Sequence, residues 1–254
     1  MTEARTLQDI RADLRALQTR LVDALEGERS RRRGPLMAEL HVVRRMLEPA
    51  YPFRSQAGQD VVIDRLLNGK RGGTFVDVGG YDGTTGSNTL FFEIWRGWTG
   101  VLVEPMPTQL ERARLARRCP CIGAAVADQP GEADFIAVNA GFTQMSGLSD
   151  CYDPQLLARV RADPRHDETI LTVKTRTLPD ILEDVGLEHP DFVSLDIEGG
   201  ELAVLESFPF GRHRVGIWAI ENNAGAPQIG RIMRAAGYDL VEFCGQDDIY
   251  RRRQ

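Results

Sequence analysis

The sequence predicts an α/β fold on a mostly parallel sheet, and three observations carry that expectation. Apolar runs at 74–78, 100–104 and 191–195 have the β-branched and aromatic content of strands buried on both faces. Each run stops at or beside an acid, namely Asp77, Glu104 and Asp196. Segments with helical spacing lie between them, the alternation that builds a parallel sheet.

The elements follow in order. Leu7, Ile10, Leu14, Leu17, Leu21 and Ala24 recur at alternating steps of three and four, which marks a helix with one apolar seam. A basic break at 29–35 interrupts it, and Leu36, Leu40, Val43 and Leu47 resume the spacing. These two helices either fold as a hairpin on the rest of the chain or pair with a second copy as a homodimer. Fewer than three heptads is short for an autonomous coiled coil. Two prolines within 48–52 break the helix, so the chain divides into an α-helical extension, 1–50, and a larger domain, 51–254.

Within the larger domain the spacing predicts a helix at 60–68, a strand at 74–78, a helix around 89–95, a strand at 100–104 and a helix at 107–118. One strand over 121–126 runs into the turn Asp128-Gln-Pro-Gly131, and another strand covers 133–138. Residues 139–169 are the least regular, long enough for a lid or binding loop. Then come a strand at 170–175, a helix at 178–185, strands at 191–195 and 215–220, a helix at 227–236, and a hairpin of 238–243 with 248–251.

Length and composition set limits. A chain of 254 residues can bury one large core, with a small appendage. Net charge is −6; ten Arg against eight acids give residues 1–50 +2, leaving −8 for the remainder. So acidic a body argues against nucleic acid as a partner. No apolar run approaches the ~20 residues of a membrane span, and the N-terminus lacks the apolar core of a signal peptide, so the expected location is cytoplasmic. Cys119, Cys121, Cys151 and Cys244 fit neither paired zinc spacing nor a disulfide framework and read as reduced thiols. His41, His189 and His213 read as solvated surface residues, and Trp95, Trp98 and Trp218 as core or strand residues.

Gly79, Gly80 and Gly83 follow the first strand, where glycine permits positive φ and close backbone approach at the ligand-binding edge of a parallel sheet. A dinucleotide fingerprint starting at Gly79 would need glycine in place of Tyr81 and Thr84, so that motif fails. The pattern is D-x-G-x-x-x-G, with Glu104-Pro105 placed 27 residues after Asp77. With Ser55-Gln-Ala-Gly-Gln59-Asp60 before it, Ser87-Asn88-Thr89 and Asp196-Ile-Glu198-Gly-Gly-Glu201 after it, and Glu221-Asn222-Asn223 beyond, the chain resembles the FkbM family of S-adenosylmethionine-dependent methyltransferases. The resemblance spans roughly residues 53–252.

That resemblance implies a Rossmann-like sheet of seven strands whose last hairpin supplies the antiparallel member. It also implies S-adenosyl-L-methionine as methyl donor and O-methylation of a hydroxyl on a sugar or polar natural product. Backbone amides from Gly79 through Gly80, Tyr81, Asp82 and Gly83 would meet the methionine carboxylate, with Asp77 near the sulfonium. Glu104, beside Pro105, would accept from the ribose hydroxyls. Asp128 would either accept from the adenine amino group or simply close its own turn. Gln59, Ser87 and Asn88 carry over as donor contacts, the last two equally as helix caps.

Transfer to a hydroxyl needs the oxygen held within about 3–3.5 Å of the methyl carbon and a group to take its proton. Asp196 is the leading candidate, touching donor and acceptor, with Glu198 at the next helix start, Glu221 nearby, and His166 as an alternative base. Glu201 reads as structural. Asp196, Glu221 and Asn222 offer hard oxygens to Mg²⁺, or else hold sugar hydroxyls directly. Competing readings are an NAD-dependent sugar-modifying oxidoreductase or epimerase, and a non-catalytic assembly module.

Overall fold

Strand β1 (Thr74–Val78) lies between β2 (Thr99–Val103) and β8 (Phe192–Leu195), both parallel to it. Its alternation sends Phe75 to one face of the sheet and Val76 and Val78 to the other, all three nearly inaccessible. With β3 (Cys121–Ile122), β9 (Ile217–Glu221), β10 (Tyr238–Cys244) and β11 (Asp247–Arg252), these strands form a seven-stranded sheet ordered β10-β11-β9-β8-β1-β2-β3. β11 alone runs against the direction of the other six strands, as the terminal hairpin predicts. The computed structural model describes residues 5–253; the outer ends of the two expected segments, 1–4 and 254, lie outside it.

One sheet face carries Val76, Leu195 and Trp218 against Leu178 and Leu182 of α6 (Leu178–Asp184), Leu205 of α7 (Glu201–Ser207), and Ile229 and Met233 of α8 (Pro227–Ala235). The opposite face carries Phe75, Phe192 and Ile249, covered by Ile63 of α3 (Gln59–Leu66), by Phe92, and by the N-terminal helices. Phe92–Arg96 forms a turn of π-helix instead of the expected α-helix, closed by Gly97 in the left-handed region. Trp98 and Trp218 are buried, but Trp95 on this turn is half exposed.

Helix α1 (Leu7–Gly27) begins at a reciprocal cap between Thr6 and Asp9, and the chain returns as α2 (Arg33–Leu47). Leu21, Leu25, Met37, Leu40 and Val43 join the same apolar cluster as Phe75. Each fully buried Leu or Val there contributes about 1.5–3 kcal/mol. Most of the seam is thus spent on the chain's own sheet, while Leu7 and Ile10 stay exposed. The basic break is shorter than its sequence suggests, because Gly34 lies inside α2. A Cβ there would stand 2.1 Å from the carbonyl oxygen of Gly245, whose N–H donates to Gly34 at 3.0 Å. Gly34 is therefore a contact point with the β10–β11 turn rather than a stop signal.

The run 121–126 is not one strand. Ile122 pairs with Val103 in the main sheet, whereas β4 (Ala125–Val126) pairs with β7 (Asp167–Arg176) in a second sheet, which β5 (Gly131–Ala140) and β6 (Gly147–Leu148) complete in the order β4-β7-β5-β6. Strand β5 is longer than its apolar centre implied. Residues 139–169 are accordingly not one loop, since they also hold α5 (Pro154–Arg161). Two histidines read as solvated are buried: His41, with Nδ1 3.0 Å from the Tyr51 hydroxyl, and His213, with Nδ1 3.1 Å from the Glu188 carbonyl. Burial holds the His41 ring down at about 4, so it is neutral.

Candidate active site

A cavity of about 350 Å³ opens at the carboxyl ends of β1, β2, β8 and β9, where a parallel sheet presents its loops. Among the described residues its lining includes five carboxylates, Asp77, Glu104, Asp196, Glu198 and Glu221, and no lysine, arginine or histidine. Thr143, Met145 and Ser146 of the β5–β6 connection and Leu148 of β6 close it from above, so part of the irregular segment does roof the site. The Tyr81 hydroxyl meets Thr143 Oγ1 at 2.7 Å and ties the roof to the glycine loop.

The glycines are required, but by the protein itself. A Cβ on Gly79, at φ +77°, would stand 1.7 Å from the Asp196 carbonyl oxygen. One on Gly80 would meet Leu102 at 2.3 Å, and one on Gly83 would meet Arg117 at 2.7 Å. Their amides are also engaged. Gly79 and Gly80 donate to Val103 O, Tyr81 to Glu104 Oε2 and Gly83 to Gly80 O. The expectation that the N–H groups of Gly79, Gly80, Tyr81 and Gly83 await a ligand carboxylate is corrected. Asp82 likewise does not line the cavity; its two oxygens take the N–H and hydroxyl groups of Thr84 and Thr85. Although burial works against it, those bonds hold the Asp82 carboxyl below its usual range. Gly86 and Asn88, further along the loop, do face the cavity, and their N–H groups make none of these turn bonds.

Asp77 is anchored from behind by Arg117, a residue sequence reasoning missed. The Arg117 side chain has no exposed surface and donates to Glu93 Oε2 at 2.5 Å, Thr89 Oγ1 at 2.9 Å, Gly83 O at 3.3 Å and Asp77 Oδ2 at 3.4 Å. Its contacts with Asp77, Thr89 and Gly83 span 28 to 40 positions, so no local pattern could disclose them. Every hydrogen bond to the Asp77 side chain falls on Oδ2. Ser87 Oγ accepts from the N–H groups of Thr89 and Leu90, a capping arrangement, while also lining the cavity.

Glu104 directly follows β2, with both oxygens occupied on one side by the N–H groups of Tyr81 at 2.9 Å and Met106 at 2.8 Å. Burial nevertheless pushes its carboxyl up to about 7. Beyond it the wall is apolar: Met106, Ala124, Ala125, Val126 and Phe135. Asp128 lies exposed on its turn, outside the residues that line the cavity.

The opposite end holds Asp196, Glu198 and Glu221, which can each place one carboxylate oxygen so that all three lie within 4.8 Å of one another. Burial, reinforced by the neighbouring Glu198, drives Asp196 well above the ordinary carboxylate range; burial with Asp196 does the same to Glu221. Glu198 is pushed up to about 8, by burial and then by Glu201. Glu198 sits at φ 57°, a left-handed backbone that costs a non-glycine residue about 1–3 kcal/mol. Glu201 holds this turn by accepting from Ile197 and Gly199 N–H, the structural role its position predicts.

Three further expectations are corrected. Gln59 is not on the cavity wall; its Nε2 donates to buried Asp247 at 3.1 Å, and Gln56 lines the cavity instead. Asn222 spends its carboxamide on Asp248 and the Ala226 backbone, leaving Asn223 to face the acids. His166 pairs with Glu168 at 2.8 Å, away from the cavity. Gln246, also on the wall, carried no signal beyond its place in the hairpin turn.

Among known proteins, the family model described as the methyltransferase FkbM domain matches residues 77–240. A solved FkbM methyltransferase from Methylobacillus flagellatus KT is similar at 16% identity and a TM-score of 0.48, over 94% of this chain and 57% of that one. The chain thus spans little more than half of that relative's length. A TehB-like SAM-dependent methyltransferase from Corynebacterium glutamicum is similar at 12% identity and a TM-score of 0.42, over 87% of this chain and all of the other. No curated protein matches. No helix of the described residues is long and apolar enough to cross a membrane.

Proposed function

The chain belongs to the FkbM methyltransferase family, and from that premise we propose that it moves a methyl group from S-adenosylmethionine to a hydroxyl of a small polar acceptor such as a sugar. The observation that carries the reading is the acidic lining of the cavity. Five lining carboxylates without a lysine, arginine or histidine suit a donor bearing a sulfonium and an ammonium against one carboxylate. A dinucleotide would bring its pyrophosphate into the same acids, which argues against the oxidoreductase alternative as strongly as the glycine spacing does.

In this reading Glu104 accepts from the ribose hydroxyls and the apolar wall from Met106 to Phe135 takes the adenine. The N–H groups of Gly86 and Asn88, rather than those of Gly79 to Gly83, meet the methionine carboxylate. When bound, the donor supplies an electrophilic methyl carbon. Asp196, Glu198 and Glu221 then hold the acceptor oxygen and take its proton, and their raised affinity for protons suits general bases near neutral pH. The tether from Tyr81 to Thr143 and the roof behind it limit water at the reacting oxygen.

Calorimetry separates these possibilities. S-adenosylmethionine and S-adenosylhomocysteine should bind with one-site isotherms while NAD gives no heat; the reverse pattern rejects the proposal. Labelled donor incubated with candidate glycosides should then pass label to a hydroxyl compound rather than to protein or nucleic acid. A divalent cation is the second reading of the acid cluster, favoured by the 4.8 Å grouping, with Asp196, Glu198 and Glu221 as ligands in place of the expected Asn222. Direct positioning predicts that EDTA changes the transfer rate less than about twofold, whereas a loss restored by Mg²⁺ selects the cation.

A further inference from the structure

A second cavity, of about 680 Å³, lies outside that site, between α1, α2, α3 and the β10–β11 hairpin. Its floor is apolar, formed by Leu25, Met37, Leu40, Val62 and Leu66. Five guanidinium groups border it. Arg33 is spent on Glu242, which it meets with two bonds of 2.5 Å, and on the carbonyls of Leu25 and Glu28. Arg29, Arg44, Arg65 and Arg251 form no ion pair among the described residues. Glu26 is then the single acid on the rim not already bridged.

Four unpaired arginines around one groove invert the sign of a chain whose net charge is −6. Their mutual repulsion is relieved by an anion, and the planar guanidinium fork is matched to carboxylate and phosphate. An inorganic anion alone would leave the exposed Val22 and Val241 and the half-buried Leu66 wet, while an uncharged hydrocarbon would leave the arginines unmatched. The volume falls within the range of small-molecule sites.

We propose that this groove is a second binding site, for a free amphiphilic anion: one aliphatic chain ending in a carboxylate or phosphate. The chain lies along Val22, Leu66 and Val241, and the charged end reaches the arginines. Arg33 and Glu242 act as the fixed strut that keeps the turn between α1 and α2 on β10 and the groove open.

The test uses the full-length protein in calorimetry against octyl phosphate below its micellar concentration, inorganic phosphate, and octyltrimethylammonium. Octyl phosphate should bind at one site, at least about tenfold tighter than either control. Arg65→Glu and Arg251→Glu should each weaken it about tenfold or more while S-adenosylhomocysteine binding stays unchanged. Should the strand variant Arg251→Glu fail to fold, Arg65→Glu, on an exposed helix position, decides alone. Equal binding of the cationic amphiphile or of bare phosphate overturns the proposal. So does absence of binding to all three, or binding that survives Arg65→Glu. S-adenosylhomocysteine is measured on the same samples, so failure here is distinct from failure of the methyltransferase reading.

Discussion

Replacing Arg117 with Met tests the most consequential contact that the sequence concealed. The substitution keeps the side chain's bulk and deletes a fully enclosed charge, leaving Glu93 and Asp77 buried without their partner. Breaking a buried pair in this one-sided way costs about 3–5 kcal/mol. Two details keep the value near the middle of that range. Glu93 retains the N–H groups of Arg118 and Cys119 on Oε1, and Asp77 retains the Thr89 hydroxyl. A loss of about 4 kcal/mol, at roughly 2–4 °C per kcal/mol for a chain of this size, lowers Tm by about 8–16 °C. Differential scanning calorimetry reads this directly. The double variant Arg117→Met/Glu93→Gln should recover part of the loss, because it removes the abandoned charge as well. A fall in Tm of less than about 3 °C, or strict additivity in the double variant, would refute the view that this arginine neutralises the acids behind the glycine loop.

Gly79→Ala should cost about 3 kcal/mol or more, since it combines a left-handed φ with a Cβ 1.7 Å from a backbone oxygen; a melt within 2 °C of the parent would show that the two loops can part freely. Glu198 gives a pH prediction with a definite sign. Its folded value near 8 lies above the ordinary 4.5, so its stabilising proton is fully present below about 4.5 and lost as pH climbs through 8. Glu198→Gln should therefore melt higher than the parent at pH 9, and the gap should shrink toward pH 5; a pH-independent gap contradicts the assignment. In activity, the parent's methyl-transfer rate should rise through about pH 8 and Glu198→Gln should flatten that limb, whereas an unchanged profile removes Glu198 from the proton path. Leu40→Ala should lower stability by about 2–5 kcal/mol in a chemical denaturation curve, because Leu40 lies in a core common to the hairpin and the sheet; a cost below 1 kcal/mol would mean that the hairpin unfolds independently.

The main sheet was legible because its signals are local. A buried parallel strand is a short apolar run, and β1, β2, β8 and β9 each announced themselves within five residues. The acids at their ends followed from chain order alone. The second sheet was not legible, because Cys121 to Val126 is continuous in apolar character, and nothing within it says that the run changes partners around Gly123. Strands β5 and β7 are apolar on one face over part of their length, so the pattern marked only their centres. In the site, Asp77, Glu104, Asp196, Glu198 and Glu221 were found because strand ends place them. Arg117, Gln56, Asn223 and Gln246 were missed because their positions depend on distant elements meeting. The glycine loop carried a correct signal for a partly wrong reason: its small residues make room for Asp196 and Leu102 as much as for any ligand.

The contact between Gly34 and Gly245 bears on how this molecule can be cut or rebuilt. Arg31, inside the turn between the helices and two residues before α2, donates to the carbonyls of Asn222 and Gln246 and pairs with Asp248. Asn222 adjoins Glu221, and Gln246 is a residue of the cavity wall itself. A shortened polypeptide beginning after residue 50 would therefore lose the splint on the far rim of the acid pocket. Transplanting this pocket onto another scaffold means taking the leading helices with it.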